Sequence, residues 1–217
     1  MIKVMLVDDH AVVREGYRRL LEREDDMSVV AEAGEAATAY QLYKTASPDV
    51  VVMDISMPGR GGIDLVKQMR QWDPKARVLM FSMHANASFA LQSFRAGAKG
   101  YVTKSSDPET LVGAVRNVAR NRPALCPEIS AVLAASRLEE DTPAFEQLSP
   151  REFEILRMIV DAKSTEEIAA ALHLTPKTVA NYHYALKSKL GVSSDIDLVY
   201  YCMRHGLVAS AAVAAPS

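Results

Sequence analysis

Five short β-type runs, "KVMLV", "SVVAEA", "DVVVM", "ARVLMF" and "KGYVT", punctuate the first half of the chain. Between them, residues 11–23, 36–46, 62–71, 85–96 and 107–120 carry helical periodicity. Tyr17, Leu20 and Leu21 fall at helical spacing on the first of these, and Leu111, Val115 and Val118 on the last. Strands alternating with amphipathic helices predict a parallel sheet covered on both faces. Five β/α units fit the length.

The pattern changes after residue 120. "NRPALCPEIS" and "RLEEDTPAF" are proline-rich, acidic and turn-prone, and predict a linker over 123–144 with a short helix around 127–137. From Ser149 on, only helical patterns remain. Ser149, Pro150 and Glu152 form a helix start with a capping box; Ser164 or Thr165 opens the next helix. Thr175 and Pro176 open a third, closed by Gly191, and "SSDIDLVYYCMRHG" is a fourth, ended by Gly206. The Ala-rich residues 209–217 have little to pack and are expected to fray.

Composition narrows the class. The 217 residues are 49% hydrophobic and 24% charged, with a net charge of −2, too balanced to announce a nucleic-acid partner by electrostatics alone. Cys126 and Cys202 are far apart and lack metal-type spacing, which argues for a reducing compartment. The N-terminus is too short and acidic for a signal peptide, and no apolar stretch reaches membrane-spanning length. A cytoplasmic protein with no membrane partner is expected.

The chemistry gathers at strand ends. Asp8 and Asp9 close the first run, and Asp54 closes "VVVMD". In a sheet ordered 2-1-3-4-5 the first and third strands are neighbours, so these three carboxylates crowd one switch point. Unpaired carboxylates repel unless a cation is present, and hard oxygen ligands suit Mg²⁺. The fourth run delivers the hydroxyl of Ser82 to the same rim, and the fifth the amine of Lys104. A cation, a carboxylate nucleophile, a hydroxyl and a lysine suit phosphoryl transfer. Any one strand-end aspartate is more often a turn former, and a lone lysine more often surface; their convergence on one rim favours the functional reading. His10 is read as a loop residue at the site mouth rather than a ligand. Met80 and Met83 are read as packing residues.

Residues 1–122, through "VDDH", "VVVMDISMPGRGGIDL", "VLMFSMH" and "RAGAKGYVTK", resemble the receiver domain of bacterial two-component response regulators, a flavodoxin-like (βα)5 fold. The resemblance implies that Asp54 accepts a phosphoryl group from a sensor histidine kinase. It implies Mg²⁺ bound by Asp9, Asp54 and the backbone carbonyl of Ser56, with Asp8 acting through water. It also implies that Ser82 and Tyr101 form a switch pair, the hydroxyl turning to the phosphoryl oxygens while the ring moves inward. Two positions depart from the pattern: Arg60, where many relatives carry an apolar or acidic residue, and Ser105, where a proline often follows the lysine. Without that proline a cis bond is not expected at Ser105.

Residues 145–208, through "LSPREFEIL", "STEEIAAAL", "TPKTVANY" and "KSKLGV", resemble the all-α, four-helix helix-turn-helix domain of the LuxR type. Receiver plus such a domain is the architecture of the NarL/FixJ family. On the third helix, Val179, Tyr182, Leu186 and Leu190 should pack inward, leaving Lys177, Ala180, Asn181, Tyr184 and Ser188 outward. Asn181 suits adenine, Lys177 a guanine or phosphate, and Thr178, Lys187 and Lys189 phosphates. Alanine stands at position 180, where relatives often carry lysine. Residues 145–217 hold seven lysines and arginines against eight aspartates and glutamates. So few cations give weak nonspecific affinity for double-stranded DNA, which a homodimer formed on phosphorylation would offset. A four-helix protein-interaction module is the plain alternative for this half.

The expected function is a phosphorylation-dependent transcriptional regulator rather than a turnover enzyme. A phosphatase working through an aspartyl phosphate is the chief rival, but haloacid-dehalogenase-type enzymes place a second aspartate where this chain has Ser56. A flavin or nucleotide binder is disfavoured because "DDHAVV" offers no glycine-rich phosphate loop.

Overall fold

β1 (Ile2–Val7) and β3 (Val50–Met53) run side by side at the centre of a parallel sheet. Val4 to Val7 and Val50 to Met53 are each 3% exposed or less, so both strands are buried on both faces, as their unbroken apolar sequence demands. Enclosing a valine or leucine side chain in this way stabilises the fold by about 1.5–3 kcal/mol at most. β2 (Met27–Ala33), β4 (Val78–Ser82) and β5 (Gly100–Thr103) extend the sheet in the order β2-β1-β3-β4-β5-β6, all pairs parallel. The intervening helices are α1 (Ala11–Glu22), α2 (Ala36–Ala46), α3 (Gly62–Trp72), α4 (Ala87–Ala96) and α5 (Pro108–Ala119). The computed structural model describes residues 1–57, 61–85, 87–136, 144–205 and 207.

The sixth strand is an addition to the expected five. β6 (Ala124–Leu125) pairs with β5, and α6 (Pro127–Ser136) follows it onto α4 and β5. The chain divides into two compact units, Met1–Glu140 and Asp141–Ser217, which places β6 and α6 with the sheet. Within the stretch 123–144, α6 is the short helix expected around 127–137, and β6 is added ahead of it. A two-residue strand is too short to leave a period in the sequence. Its docking depends on Gly100, where a Cβ would stand 2.7 Å from the carbonyl oxygen of Ala124.

The second unit opens with a 3-10 turn (Ala144–Gln147), followed by α7 (Pro150–Val160), α8 (Thr165–Leu172), α9 (Pro176–Leu190) and α10 (Asp195–Arg204). Side chains cap all four. Ser149 with Glu152, Ser164 with Glu167 and Ser194 with Asp197 form reciprocal capping boxes, and Thr175 caps α9 ahead of Pro176. Each such cap is worth about 1 kcal/mol. Gly191 ends α9 at φ 68°, a left-handed conformation that costs glycine least. Phe153, Ile155, Leu156, Ile168, Val179, Leu186 and Leu198 make the core. Arg60, residues 137–143, Gly206 and residues 209–217, which the sequence reading also addresses, lie outside the described residues. No cis peptide occurs among the described residues, Ser105 included.

Candidate functional site

Parallel pairing delivers the acidic side chains to one rim. The amide of Asp8 donates to the Ala33 carbonyl at 3.0 Å and that of Asp54 to the Val7 carbonyl at 2.8 Å, so each aspartate is fixed by the neighbouring strand. Carboxylate oxygens of Asp8, Asp9 and Asp54, with a ring nitrogen of His10, all lie within 4.8 Å of one another. Lys104 reaches in from the end of β5. Its Nζ donates to Asp8 Oδ2 and Asp54 Oδ2, both at 2.7 Å. The other oxygen of Asp54 accepts from the Ser56 amide at 3.2 Å.

Three carboxylates against one lysine leave an excess of two negative charges, which matches a divalent cation. Burial pushes the Asp54 carboxyl above the usual carboxylate range, and the hydrogen bond and charge of Lys104 only partly offset this. Burial also works against the Lys104 ammonium, but its bonds to Asp54 and Asp8 outweigh that and hold it above its ordinary value. Asp54 keeps only 5% of its side-chain surface, whereas Asp9 keeps 26% and His10 64%. His10 lies at the mouth as expected, its Nδ1 2.9 Å from Asp9 Oδ1.

Ser82 and Tyr101 are both fully buried. The Ser82 Oγ accepts from the His84 amide at 3.2 Å, and the Tyr101 hydroxyl donates to the His84 carbonyl at 2.8 Å, so both side chains are held on the same residue. Burial pushes the Tyr101 phenol well above its ordinary range. The ring of Tyr101 is thus inward. Met80 is buried as expected, but Met83 is 69% exposed, so its reading as a packing residue is wrong: β4 is buried at all five positions and ends at Ser82, and Met83 lies one residue past it.

Two residues here escaped the sequence reading. Gly62 lies so close beneath Asp54 that a Cβ would stand 2.0 Å from the Asp54 carbonyl oxygen, and its amide donates to the Ile55 carbonyl at 3.0 Å. The doublet Gly61–Gly62 after "PGR" was the available signal. His84 joins three parts of the rim: its amide donates to Ser82 Oγ at 3.2 Å, its Nε2 is 3.4 Å from Ser56 Oγ, and its ring stacks on Phe89. A single histidine after a strand carries no pattern that would reveal this.

On α9, Val179, Leu186 and Leu190 are buried and Tyr182 half-buried, while Lys177, Ala180, Asn181, Tyr184, Ser188 and Lys189 are exposed. The candidate cations differ in their freedom. Lys187 pairs with Asp195 at 3.0 Å and Lys189 with Glu152 at 2.6 Å, whereas Lys177 has no ion pair among the described residues. Thr178 Oγ1 is 2.8 Å from Thr175 Oγ1, at the helix cap.

Residues 4–116 match the response regulator receiver domain, and residues 146–202 match the luxR family of bacterial regulatory proteins. The chain is 37% identical over 209 residues to the response regulator UvrY of Escherichia coli (strain K12), covering 95% of this chain and 96% of that one. It is similar to the crystal structure of a LuxR-family two-component response regulator from Aurantimonas sp. SI85-9A1, with 52% identity and a TM-score of 0.63, over 64% of this chain and 99% of that one. It is also similar to RcsB from Salmonella enterica serovar Typhimurium bound to promoter rprA in the presence of phosphomimetic BeF3⁻. There the TM-score is 0.71 and the identity 27%, over 92% of this chain and 97% of that one. Among the described residues, no helix is long and apolar enough to cross a membrane.

Proposed function

Because this chain belongs to the response regulators that join a receiver domain to a luxR-family domain, we propose that it is a transcriptional regulator switched by phosphorylation of Asp54. The receiver role falls to residues 1–122 and DNA binding to residues 145–208. The observation that carries the reading is the double tether of Asp54, to the Ser56 amide on one oxygen and to Lys104 on the other, beside Asp8 and Asp9.

In the transfer, a carboxylate oxygen of Asp54 attacks the phosphorus of a kinase phosphohistidine. A P–O bond forms as the P–N bond breaks, the P–N electron pair goes to the departing ring nitrogen, and the histidine leaves as neutral imidazole keeping the proton on its other nitrogen. Lys104 orients the acceptor and places a positive charge where phosphoryl oxygens arrive. Asp9, Asp54 and the carbonyl of Ser56 would hold Mg²⁺, with Asp8 acting through water, and the excess of acidic over basic groups fits that ion. When bound, the ion neutralises the oxygens of the transferred group. Ser82 and Tyr101 respond as a pair: the Ser82 hydroxyl turns to the new phosphoryl oxygens, and the ring of Tyr101 is held inward behind it. The chain accepts and slowly loses its own phosphoryl group, and does not turn over substrate.

For DNA, the exposed face of α9, with Tyr184 and Ser188 on it, supports insertion into a major groove, with Asn181 toward an adenine, Lys177 toward a guanine or a phosphate, and Thr178, Lys187 and Lys189 toward phosphates. A homodimer is supported by the apolar face of α10, where Ile196 is 69% and Tyr200 65% exposed beside Val199 and Met203. Intact-mass measurement tests the core of the reading. Wild type treated with acetyl phosphate and Mg²⁺ should gain one phosphoryl group, and Asp54→Asn none. A variant that still gained it would refute the assignment.

A further inference from the structure

β6 and α6 take no part in the phosphoryl chemistry, yet they are fastened to the residues that would register it. The backbone makes the first tie. β6 pairs with β5 so that Leu125 lies opposite Tyr101, and the Cys126 amide donates to the Tyr101 carbonyl at 3.3 Å. A second tie runs beside Lys104. Thr103 Oγ1 lies 2.7 Å from Ser106 Oγ and 3.9 Å from the Cys126 thiol, and the Ser106 hydroxyl reaches Glu128, in the first turn of α6, at 3.4 Å.

Packing adds the third. α6 lies on both α4 and β5, and Cys126 and Ile129 are fully buried. The ring of Tyr101 is also without exposure. A fully enclosed aromatic ring leaves its place only when an element packed over it gives way, because close-packed interiors hold no spare volume of that size. α4 and α6 both lie on the strand that carries Tyr101 and on one another, so they are the elements packed around this end of β5. Small displacements at such an interface resolve into two discrete arrangements rather than a continuum.

We infer that the β6–α6 extension is the receiver's output lever, docked while Tyr101 is turned inward and loosened when the ring turns outward. This rests on the reading of Asp54 as phosphoacceptor. Phosphorylation draws Ser82 and the loop of His84 toward Asp54, holds Tyr101 inward and so tightens the docked arrangement. The loosened form belongs to the unphosphorylated population. What the receiver passes to the rest of the chain is then the docking of α6.

Cys126 reports on this directly, since it is buried where β6 meets α6, and Cys202, buried in the other unit, serves as an internal reference. The full chain is exposed to a thiol reagent with and without acetyl phosphate and Mg²⁺, and labelling is read peptide by peptide. The phosphorylated protein should show Cys126 modified about tenfold more slowly, with Cys202 unchanged, as expected when local opening is suppressed. Gly100→Ala, which crowds β6, and Ile129→Ala, which removes the anchor of α6, should both accept the phosphoryl group yet label rapidly in either state. A protein that carries the added phosphoryl mass but labels at an unchanged rate overturns the lever alone. Protection that survives in both variants overturns it as well. A protein that never gains the mass overturns the reading of Asp54 and the lever with it.

Discussion

Lys104 Nζ stands 2.7 Å from Asp54 Oδ2 and at the same distance from Asp8 Oδ2, so one ammonium serves two buried carboxylates. The pairing compensates one charge and leaves Asp54 strained by burial and by its acidic neighbours. Without a divalent cation, Asp54→Asn should therefore stabilise the receiver by about 1 kcal/mol, because it removes a buried charge while Lys104 keeps Asp8. Mg²⁺ should raise the melting temperature of wild type and leave that of the variant nearly unmoved. Thermal unfolding with and without millimolar Mg²⁺ checks both halves; an equal Mg²⁺ response in the two proteins would refute the site.

Gly62 supplies a second expectation. A methyl group there meets the Asp54 carbonyl oxygen at 2.0 Å, and the neighbour is backbone that cannot swing aside. Gly62→Ala should cost about 3 kcal/mol and slow phosphoryl uptake, since relief must shift the residue that accepts the group. Denaturant unfolding measures the first effect and timed intact-mass spectra the second.

Glu152 sets the pH response of the second unit. Burial acts to raise its carboxyl, but the bond to Lys189 and those to Ser149 prevail and hold it below the usual range. The unfolded chain then binds the proton more readily. The stabilisation is present above the ordinary glutamate value, near about 4.3, and is lost as pH falls through the depressed folded one. Glu152→Gln should lower stability at neutral pH by about 1–2 kcal/mol and flatten this acid limb. Melting temperatures taken from pH 7 downward would show it.

The lysines of α9 should not weigh equally on DNA. Lys177 has no ion pair among the described residues, whereas Lys187 must share its charge with Asp195. Lys177→Ala should weaken binding more than Lys187→Ala and reduce the slope of log K against log salt by about one per subunit if it meets a phosphate. Anisotropy titrations at several salt concentrations distinguish the two.

Much of this was written plainly in the chain. The central strands are apolar runs bounded by turn residues, and Ser149 and Thr175 announce their helices because capping is a local event. Asp8, Asp9 and Asp54 can be placed together because strand order follows from the alternation of elements. Other features lie in three-dimensional contact and leave no period. β6 is two residues long and is admitted by a missing side chain at Gly100. His84 acts mainly through its backbone and a ring stack, and the sharing of Lys104 between Asp8 and Asp54 depends on a reach that sequence spacing does not encode. Met83 shows the converse, an apolar residue that follows a fully buried strand directly yet lies outside its cover.

The account turns on Asp54 governing the affinity of the second unit for DNA. The most direct test is an anisotropy titration of the full chain on a duplex selected for it, with and without acetyl phosphate and Mg²⁺. Wild type should bind about tenfold or more tightly once phosphorylated, and Asp54→Asn should show one affinity under both conditions. A wild-type protein carrying the phosphoryl group with unchanged affinity, or a variant that gains affinity as wild type does, would contradict it.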